Sequence, residues 1–412
     1  MSGSFPSGLR ALNHRDFRIF WSGQLVSLVG TWMQSVAQAW LVLQLTDSPF
    51  RLGLIGTLQF APILLFSVIA GALADRLPKR RVILATQAVL SLQALTLAAL
   101  VGTGHVQYWH VGVLALVYGL ANVLDMPARQ AFIVEMVGKA DLVNAVALNS
   151  AAFNGARIVG PAVAGLLIAR FGVAPAFLLN GLSFVIVIAA LLAVRARGLP
   201  RPRRVATLGA EMLEGVRYAT RTPRVAVILS LVCVVSLCVF NFTIFVPLLA
   251  RSVLRLGAEG FGFLMAAVGA GAVSGALALA GLGGRQSSLR AIFTAGTLAC
   301  AATLALAMVA DFRAAVVLLF VLGFFAIVFI ASCNTTLQLT APDALRGRVM
   351  SLHALMFGGV FPIGSFLVGT IAEAFGIRAA LAAAGAAGLL GVALVGVRWR
   401  TRARPAGEVV TR

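Results

Sequence analysis

Charge is what this sequence has least of. Only 11% of its 412 residues are charged, against roughly 25% in soluble domains. A chain this long with so few ionised side chains cannot clothe a folded surface for water. The mean hydropathy of +0.98 agrees, and together they exclude a soluble enzyme. Lysine is almost missing, with Lys79 and Lys139 alone, and acidic residues number 13, so the net charge of +20 is carried by arginine. A nucleic-acid-binding domain would display such charge on one face of a polar fold. Here the arginines stand in short clusters between apolar runs, which excludes nucleic acid as a partner. The four cysteines (Cys233, Cys238, Cys300 and Cys333) lie inside apolar runs. None has the close spacing of a metal knuckle or redox pair, so they read as small buried hydrophobes. There is no His-Glu-x-x-His, no hydrolytic triad and no Gly-x-x-x-x-Gly-Lys-Ser/Thr loop. No enzyme activity, metal or cofactor is expected. The glycines of Gly269-Ala-Gly271-Ala-Val-Ser274 only imitate a nucleotide loop and read as helix packing.

What the sequence has in abundance is long apolar runs. A run of about 20 residues spans the ~30 Å hydrocarbon core as a helix. Twelve such runs are bounded by charge or by Gly/Pro clusters. They cover 17–43, 52–74, 81–103, 109–127, 142–169 and 173–194, then 225–249, 259–282, 290–310, 314–336, 349–373 and 377–398. The reading is an all-α membrane protein of twelve transmembrane helices in two six-helix halves. The N-terminal half is 1–194, an Arg/Pro-rich cytoplasmic linker follows over 195–224, and the C-terminal half with a basic tail is 225–412. The run after Arg10, Arg15 and Arg18 is too long for a signal-peptide core.

Orientation follows from the basic residues. The side holding both termini and the linker carries 26 Lys and Arg, and the other side carries 6. Cytoplasmic loops carry that excess, so both termini are expected in the cytoplasm. One basic residue, Arg157, falls inside a span.

The two halves resemble each other at an offset of 204 residues. Gly71-Ala72-Leu73-Ala74 matches Gly275-Ala276-Leu277-Ala278. Phe153, Gly155, Gly160, Gly165, Phe171 and Gly172 match Phe357, Gly359, Gly364, Gly369, Phe375 and Gly376. Duplicated six-helix halves around a midplane cavity are a transporter architecture.

The loop after the second span reads Gly71-Ala72-Leu73-Ala74-Asp75-Arg76-Leu77-Pro78-Lys79-Arg80-Arg81. It resembles the Gly-x-x-x-Asp-Arg-x-Gly-Arg-Arg signature of the major facilitator superfamily, with Pro78 in place of the usual glycine. The resemblance implies a conformational latch of Gly71, Asp75, Arg76, Lys79 and Arg80, faced by Asp125 at the end of span 4. A narrower resemblance rests on Asp125-Met126-Pro127-Ala128-Arg129-Gln130-Ala131-Phe132, on Asn144-Ala145 and on Ala156-Arg157-Ile158-Val159-Gly160-Pro161-Ala162-Val163-Ala164-Gly165. These are similar to the branch that includes enterobactin exporters and macrolide-efflux proteins. Gly160, Pro161 and Gly165 resemble the helix-5 step of exporters and antiporters, with Ala164 at one expected glycine. The resemblance implies proton-driven export of a small molecule such as a siderophore, a macrolide or another secondary metabolite, by a monomer in a bacterial inner membrane.

The candidate substrate residues come from polar stripes. Gln24, Ser27, Thr31, Gln34 and Gln38 step by 3 and 4 along span 1, which puts them on one helical face. An amide in hydrocarbon needs a partner. This face therefore meets either a watery cavity or the hydrogen-bonding side chains of neighbouring helices. Tyr118 and Asn122 with Asp125, and Ser150, Asn154 and Arg157, make similar stripes on spans 4 and 5. In the second half the polar candidates are Asn241, Ser332, Asn334 and His353, with Phe240, Phe242, Phe245, Phe324, Phe325 and Phe329 as an aromatic wall or core filling. No carboxylate falls near mid-span, so no proton carrier is identified from the sequence. Import of a solute, or a non-transporting sensor or assembly subunit, are the alternative readings.

Overall fold

The computed structural model describes residues 7–196, 208–281 and 288–403. The side chains of residues 68, 71, 72, 74, 75, 208–213, 343, 344 and 400–403 are outside that description. The chain is helical throughout its apolar runs. After a short 3-10 segment come α1 (Arg15–Thr46), α2 (Pro49–Arg76), α3 (Lys79–Gly102), α4 (Tyr108–Val137), α5 (Leu142–Phe171) and α6 (Ala174–Ala193). The second half comprises α7 (Leu208–Arg221), α8 (Pro223–Val239), α9 (Phe242–Leu248), α10 (Ala258–Gly281), α11 (Leu289–Leu306), α12 (Phe312–Thr340), α13 (Asp343–Ala354) and α14 (Phe361–Ala403). Eleven stretches are long and apolar enough to cross a membrane. The last, Leu345–Trp399, is 55 residues long and breaks at Gly376, where φ is 81°. It therefore crosses twice, giving twelve crossings.

Local chemistry explains the ends and the kinks. Ser48 caps α2 by accepting the Arg51 N–H, and Asp311 caps α12 by accepting that of Ala314, each satisfying an orphan helix donor. α4 continues to Val137, past the 127 expected from hydropathy, because Pro127 is carried inside the helix. In membrane helices, neighbouring groups re-satisfy the backbone that a proline frees. The seventh crossing is interrupted at Asn241, whose Nδ2 donates to the Leu237 carbonyl at 2.8 Å, a side chain competing with the backbone ladder. Within the linker expected at 195–224, α7 forms a helix against α13, tied by a 2.6 Å ion pair from Arg348 to Glu214. Residues 197–207 of that linker and residues 404–412 of the tail lie outside the described residues.

In the first half, α1 packs on α5 and α6, α2 on α4, and α3 on α4 and α6; in the second, α10 packs on α12, and α14 on α8 and α11. Besides smaller contacts of α1 and α2 to α9, two extensive pairings join the halves, α5 with α10 and α2 with α14. Both are glycine seams with the same geometry. A Cβ on Gly165 of α5 would stand 2.9 Å from the Gly262 Cα of α10. One on Gly369 of α14 would stand 3.0 Å from the Gly53 Cα of α2. Gly165 and Gly369 are partners in the 204-residue repeat, and three further pairs behave alike, whereas Gly155 meets nothing within 4 Å and its partner Gly359 abuts Leu64. Gly160 abuts Trp32 and Val29 of the first crossing, while Gly364 abuts Asn241 and Leu237 of the seventh. Phe153 meets Trp32 edge-to-face and Phe357 meets Phe240 in the same way. Gly172 and Gly376 both turn the chain between crossings at positive φ, 75° and 81°, a conformation costly for other residues. The repeat in the sequence is a repeat in space.

Candidate functional site

The seam between the halves is polar at its far end, opposite the termini. Glu373 of α14 accepts the Ser48 hydroxyl at 2.8 Å and the Phe50 N–H at 3.1 Å, so a carboxylate from one half caps the helix α2 of the other. Arg251 forms a 3.0 Å ion pair with Asp47 and lies over the Trp40 ring. Further in, the Thr57 hydroxyl donates to the Pro362 carbonyl and Phe60 packs on Phe361 at 4.4 Å between centroids. The close approach then runs through Leu64 against Gly359 on one flank and Arg157 against Gly269 on the other. Beyond these points, toward the termini, Leu65, Ile69, Val143 and Val146 are exposed.

At that limit stands Arg157, near the middle of the 30-residue α5, about 23 Å from its start at ~1.5 Å per residue. A central arginine costs ~2.5–3.5 kcal/mol to insert and is a functional group by default. Its guanidinium lies 5.6 Å from the centroid of Trp32 on α1 and 5.3 Å from that of Phe242 on α9. Both are within the ~6 Å range of a cation–π contact. The two rings belong to opposite halves. No hydrogen bond or ion pair to Arg157 exists among the described residues. Phe242 was legible only as one of several phenylalanines. Trp32 was missed altogether, although it directly follows Thr31 of the polar stripe.

The polar stripe of span 1 divides between two surroundings. Gln34 is spent on its neighbours: its Nε2 donates to Gln93 of α3 at 2.9 Å, and its Oε1 accepts from Asn180 of α6 at 2.7 Å. Gln38 donates to Gln59 of α2 at 2.7 Å. Gln24 is buried with its Oε1 lacking a partner among the described residues, and Thr31 is half-buried. Asn122 and Asn154 each donate to the carbonyl one turn back, Tyr118 and Ser150 respectively. In the second half, Asn241 is fully buried and accepts the Ser365 hydroxyl at 3.2 Å, which places it in the packing of α14. Asn334 accepts from Gln338. His353 is buried, stacked on Phe357, with its Nε2 unpartnered among the described residues. Arg157 and the half-buried Thr31, Asn122 and Asn154 lie on the central helices, whereas Gln34 and Asn241 are held inside the bundles.

Asp125 is the one buried carboxylate among the described residues. Its Oδ1 accepts from Thr86 and Gln87 of α3 at 2.7 and 3.0 Å, and Arg129, one turn on, grips its Oδ2 through two nitrogens at 2.8 and 2.7 Å. Arg129 in turn lies over the Phe20 ring. Of the motif loop, Lys79 is buried and Arg76 exposed, while Arg80 donates to the Leu192 carbonyl at 3.1 Å. The side chains of Gly71 and Asp75 lie outside the description. Gly160 and Pro161 set α5 against α1 and α10, and Gly165 completes the contact with α10. The glycines imitating a nucleotide loop are helical, with Gly269 on the Arg157 backbone and Gly271 against Phe320.

Twelve crossings in two repeated bundles that meet along glycine seams define a major facilitator fold. A solved bacterial homologue of the human lysosomal transporter Spinster, inward-facing and unoccupied, has this fold. It superposes with a TM-score of 0.75 at 13% identity, over 94% of this chain and 97% of its own. Residues 6–411 match the transmembrane secretion effectors, and the chain belongs to that family of major facilitator transporters. These are transporters of small molecules and not enzymes. Among its relatives, the multidrug efflux pump Tap of Mycolicibacterium fortuitum is 29% identical over 86% of this chain and 88% of its own length. The enterobactin exporter EntS of Escherichia coli is 26% identical over 93% of this chain and 91% of its own.

Proposed function

We propose that the protein exports a small organic molecule, of the siderophore, macrolide or secondary-metabolite kind, across a bacterial inner membrane by proton-driven alternating access. The observation that carries this reading is the paired glycine seam. Backbone meets backbone in the same way at α5–α10 and at α2–α14, so the six-helix halves, 1–194 and 225–412, can rock as units about a two-fold pivot. In this conformation the far end is sealed by Glu373, Asp47 and Arg251, and the exposure of Leu65, Ile69, Val143 and Val146 supports reading the side of the termini as the open one. With the basic loops and the 195–224 linker in the cytoplasm, that is the state in which a cytoplasmic cargo enters. Thr31, Tyr118, Asn122, Asn154 and Arg157 supply its polar wall, and the Gly71–Arg80 loop with Asp125 latches the opposite state. Family membership and the efflux names of two relatives support the direction.

The test is accumulation of candidate cargoes in cells with and without the protein, before and after a protonophore. Lower accumulation that the protonophore abolishes is the expected result. Higher accumulation would make the protein an importer, and efflux that survives the protonophore would remove the proton.

A further inference from the structure

We infer that the centre of the transport path is a receptor for an organic anion bearing a flat unsaturated ring, gripped by Arg157 between Trp32 and Phe242. This rests on the transporter reading above and names the class of cargo.

Arg157 sits at mid-depth, partly exposed, with an aromatic ring from each half within 5.6 Å. Ring faces stabilise the positive charge but accept none of the guanidinium N–H donors in the manner of a carboxylate. No acid or carbonyl among the described residues takes them. By contrast, Arg129 of α4 holds Asp125 through two nitrogens. A cation kept without a resident acid holds its donor fork open for an incoming carboxylate, phenolate or sulfonate. The same unpaired charge repels cationic cargo.

Offset by 204 residues, Arg157 corresponds to Phe361, which packs on Phe60 of the other half. The twin seat is thus filled by an apolar ring, on a helix whose next two repeat glycines, Gly364 and Gly369, make the same kinds of contact as Gly160 and Gly165. Holding the halves together at this position needs no charge. The arginine is an addition that only one half carries, and packing does not account for it.

Trp32 lies on α1 and the buried Phe242 on α9, so the guanidinium rests on both halves at once and a flat ring bound to it is coupled to both. Such a cargo contacts the two halves differently in each conformation, which is what a transported ligand needs to shift their balance.

Fluorescein and rhodamine 123 share a xanthene ring and differ in the sign of their charge, so they are the probes. Cells producing the full chain are loaded with each dye and efflux is followed, with the amount of protein in the membrane measured in parallel. The wild type should extrude fluorescein and leave rhodamine 123. Arg157→Gln should slow fluorescein efflux about tenfold or more, the scale expected for a lost charge-assisted fork. Arg157→Lys should fall between, since an ammonium keeps the charge without the planar donors. Trp32→Leu should weaken apparent fluorescein affinity at normal protein level. A quenching titration of the purified protein's tryptophan fluorescence with fluorescein reads binding apart from flux, and should weaken in the same order. Extrusion of rhodamine 123 but not fluorescein would overturn the anion assignment and leave the transporter reading intact. Equal fluorescein efflux by wild type and Arg157→Gln would remove Arg157 from the site with the same consequence. Failure of the folded protein to move either dye would count against both.

Discussion

Replacing Gly165 by alanine should move the protein out of the conformation described above. The added Cβ would lie 2.9 Å from the Gly262 Cα, 3.0 Å from the Ala258 carbonyl oxygen and 3.1 Å from that of Glu259. Carbon pairs are most stable at ~3.5–4.0 Å. All three neighbours are backbone, so none can rotate aside as a side chain would. The two helices must therefore separate by a substantial part of an ångström, and overpacking of this kind costs about 1–3 kcal/mol. Alanine also gains roughly 0.5–1 kcal/mol over glycine as a helix former. That gain is the same whether α5 touches α10 or not, so it cancels in the balance between conformations. What remains is a shift of about 5- to 150-fold away from the state in which the far end is closed. Spin labels on Val143 and Leu339, both exposed near the end that carries the termini, report it by pulsed EPR in a cysteine-free background. The longer distance should lose population to a shorter one. Gly369→Ala, the repeat partner, should act in the same direction, with its Cβ 2.9 Å from the Pro49 oxygen. Gly155→Ala on the same helix α5 is the control, since a Cβ there meets nothing within 4 Å. An unchanged distance distribution in Gly165→Ala, or an equal shift in Gly155→Ala, would refute the seam as the pivot.

Glu373→Gln keeps the shape of the side chain but removes the charge that caps α2, and a carboxylate at a helix N-terminus contributes about 0.3–1 kcal/mol. The same spin-label pair should record a shift of about 2- to 5-fold toward the state with the far end open; no shift would make this contact incidental. Asp125→Asn leaves the half-buried Arg129 without its acid, a loss of at most about 3 kcal/mol, the lower bound for a fully buried pair, because water reaches the guanidinium and the Phe20 ring stays in place. An unfolding titration in mixed micelles should register it, and an unchanged midpoint would mean that water already solvates the pair. Gln34→Leu removes the acceptor of Asn180 and the donor to Gln93 and should cost about 0.6–1.7 kcal/mol, the range of interhelical hydrogen bonds in membranes. Efflux per folded molecule should stay constant, whereas a specific loss of transport would make Gln34 a cargo ligand.

The bilayer is why so much of this fold is legible in one dimension. A helix must be apolar for about 20 residues to cross it, and nothing in the remaining chain relaxes that demand. The number of crossings and the membrane class therefore follow from hydropathy. The repeat was legible too, because a backbone-to-backbone seam tolerates only glycine: Gly165 and Gly369 occupy matching seats and cannot drift to other residues without parting the helices. What hydropathy could not supply is which way each helix turns and what it meets. Gln34 and Thr31 stand on the same stripe, yet Gln34 is consumed between α3 and α6 while Thr31 is half-buried. Ser48 and Glu373 are 325 residues apart, and no local pattern foretells that one caps the helix begun by the other. Arg157 could be recognised as a charge in the wrong place, but Trp32 and Phe242 become its neighbours only once the two halves are packed. Length and hydropathy are properties of each helix alone, whereas a partner depends on the rotation and tilt of two helices, which their joint packing decides.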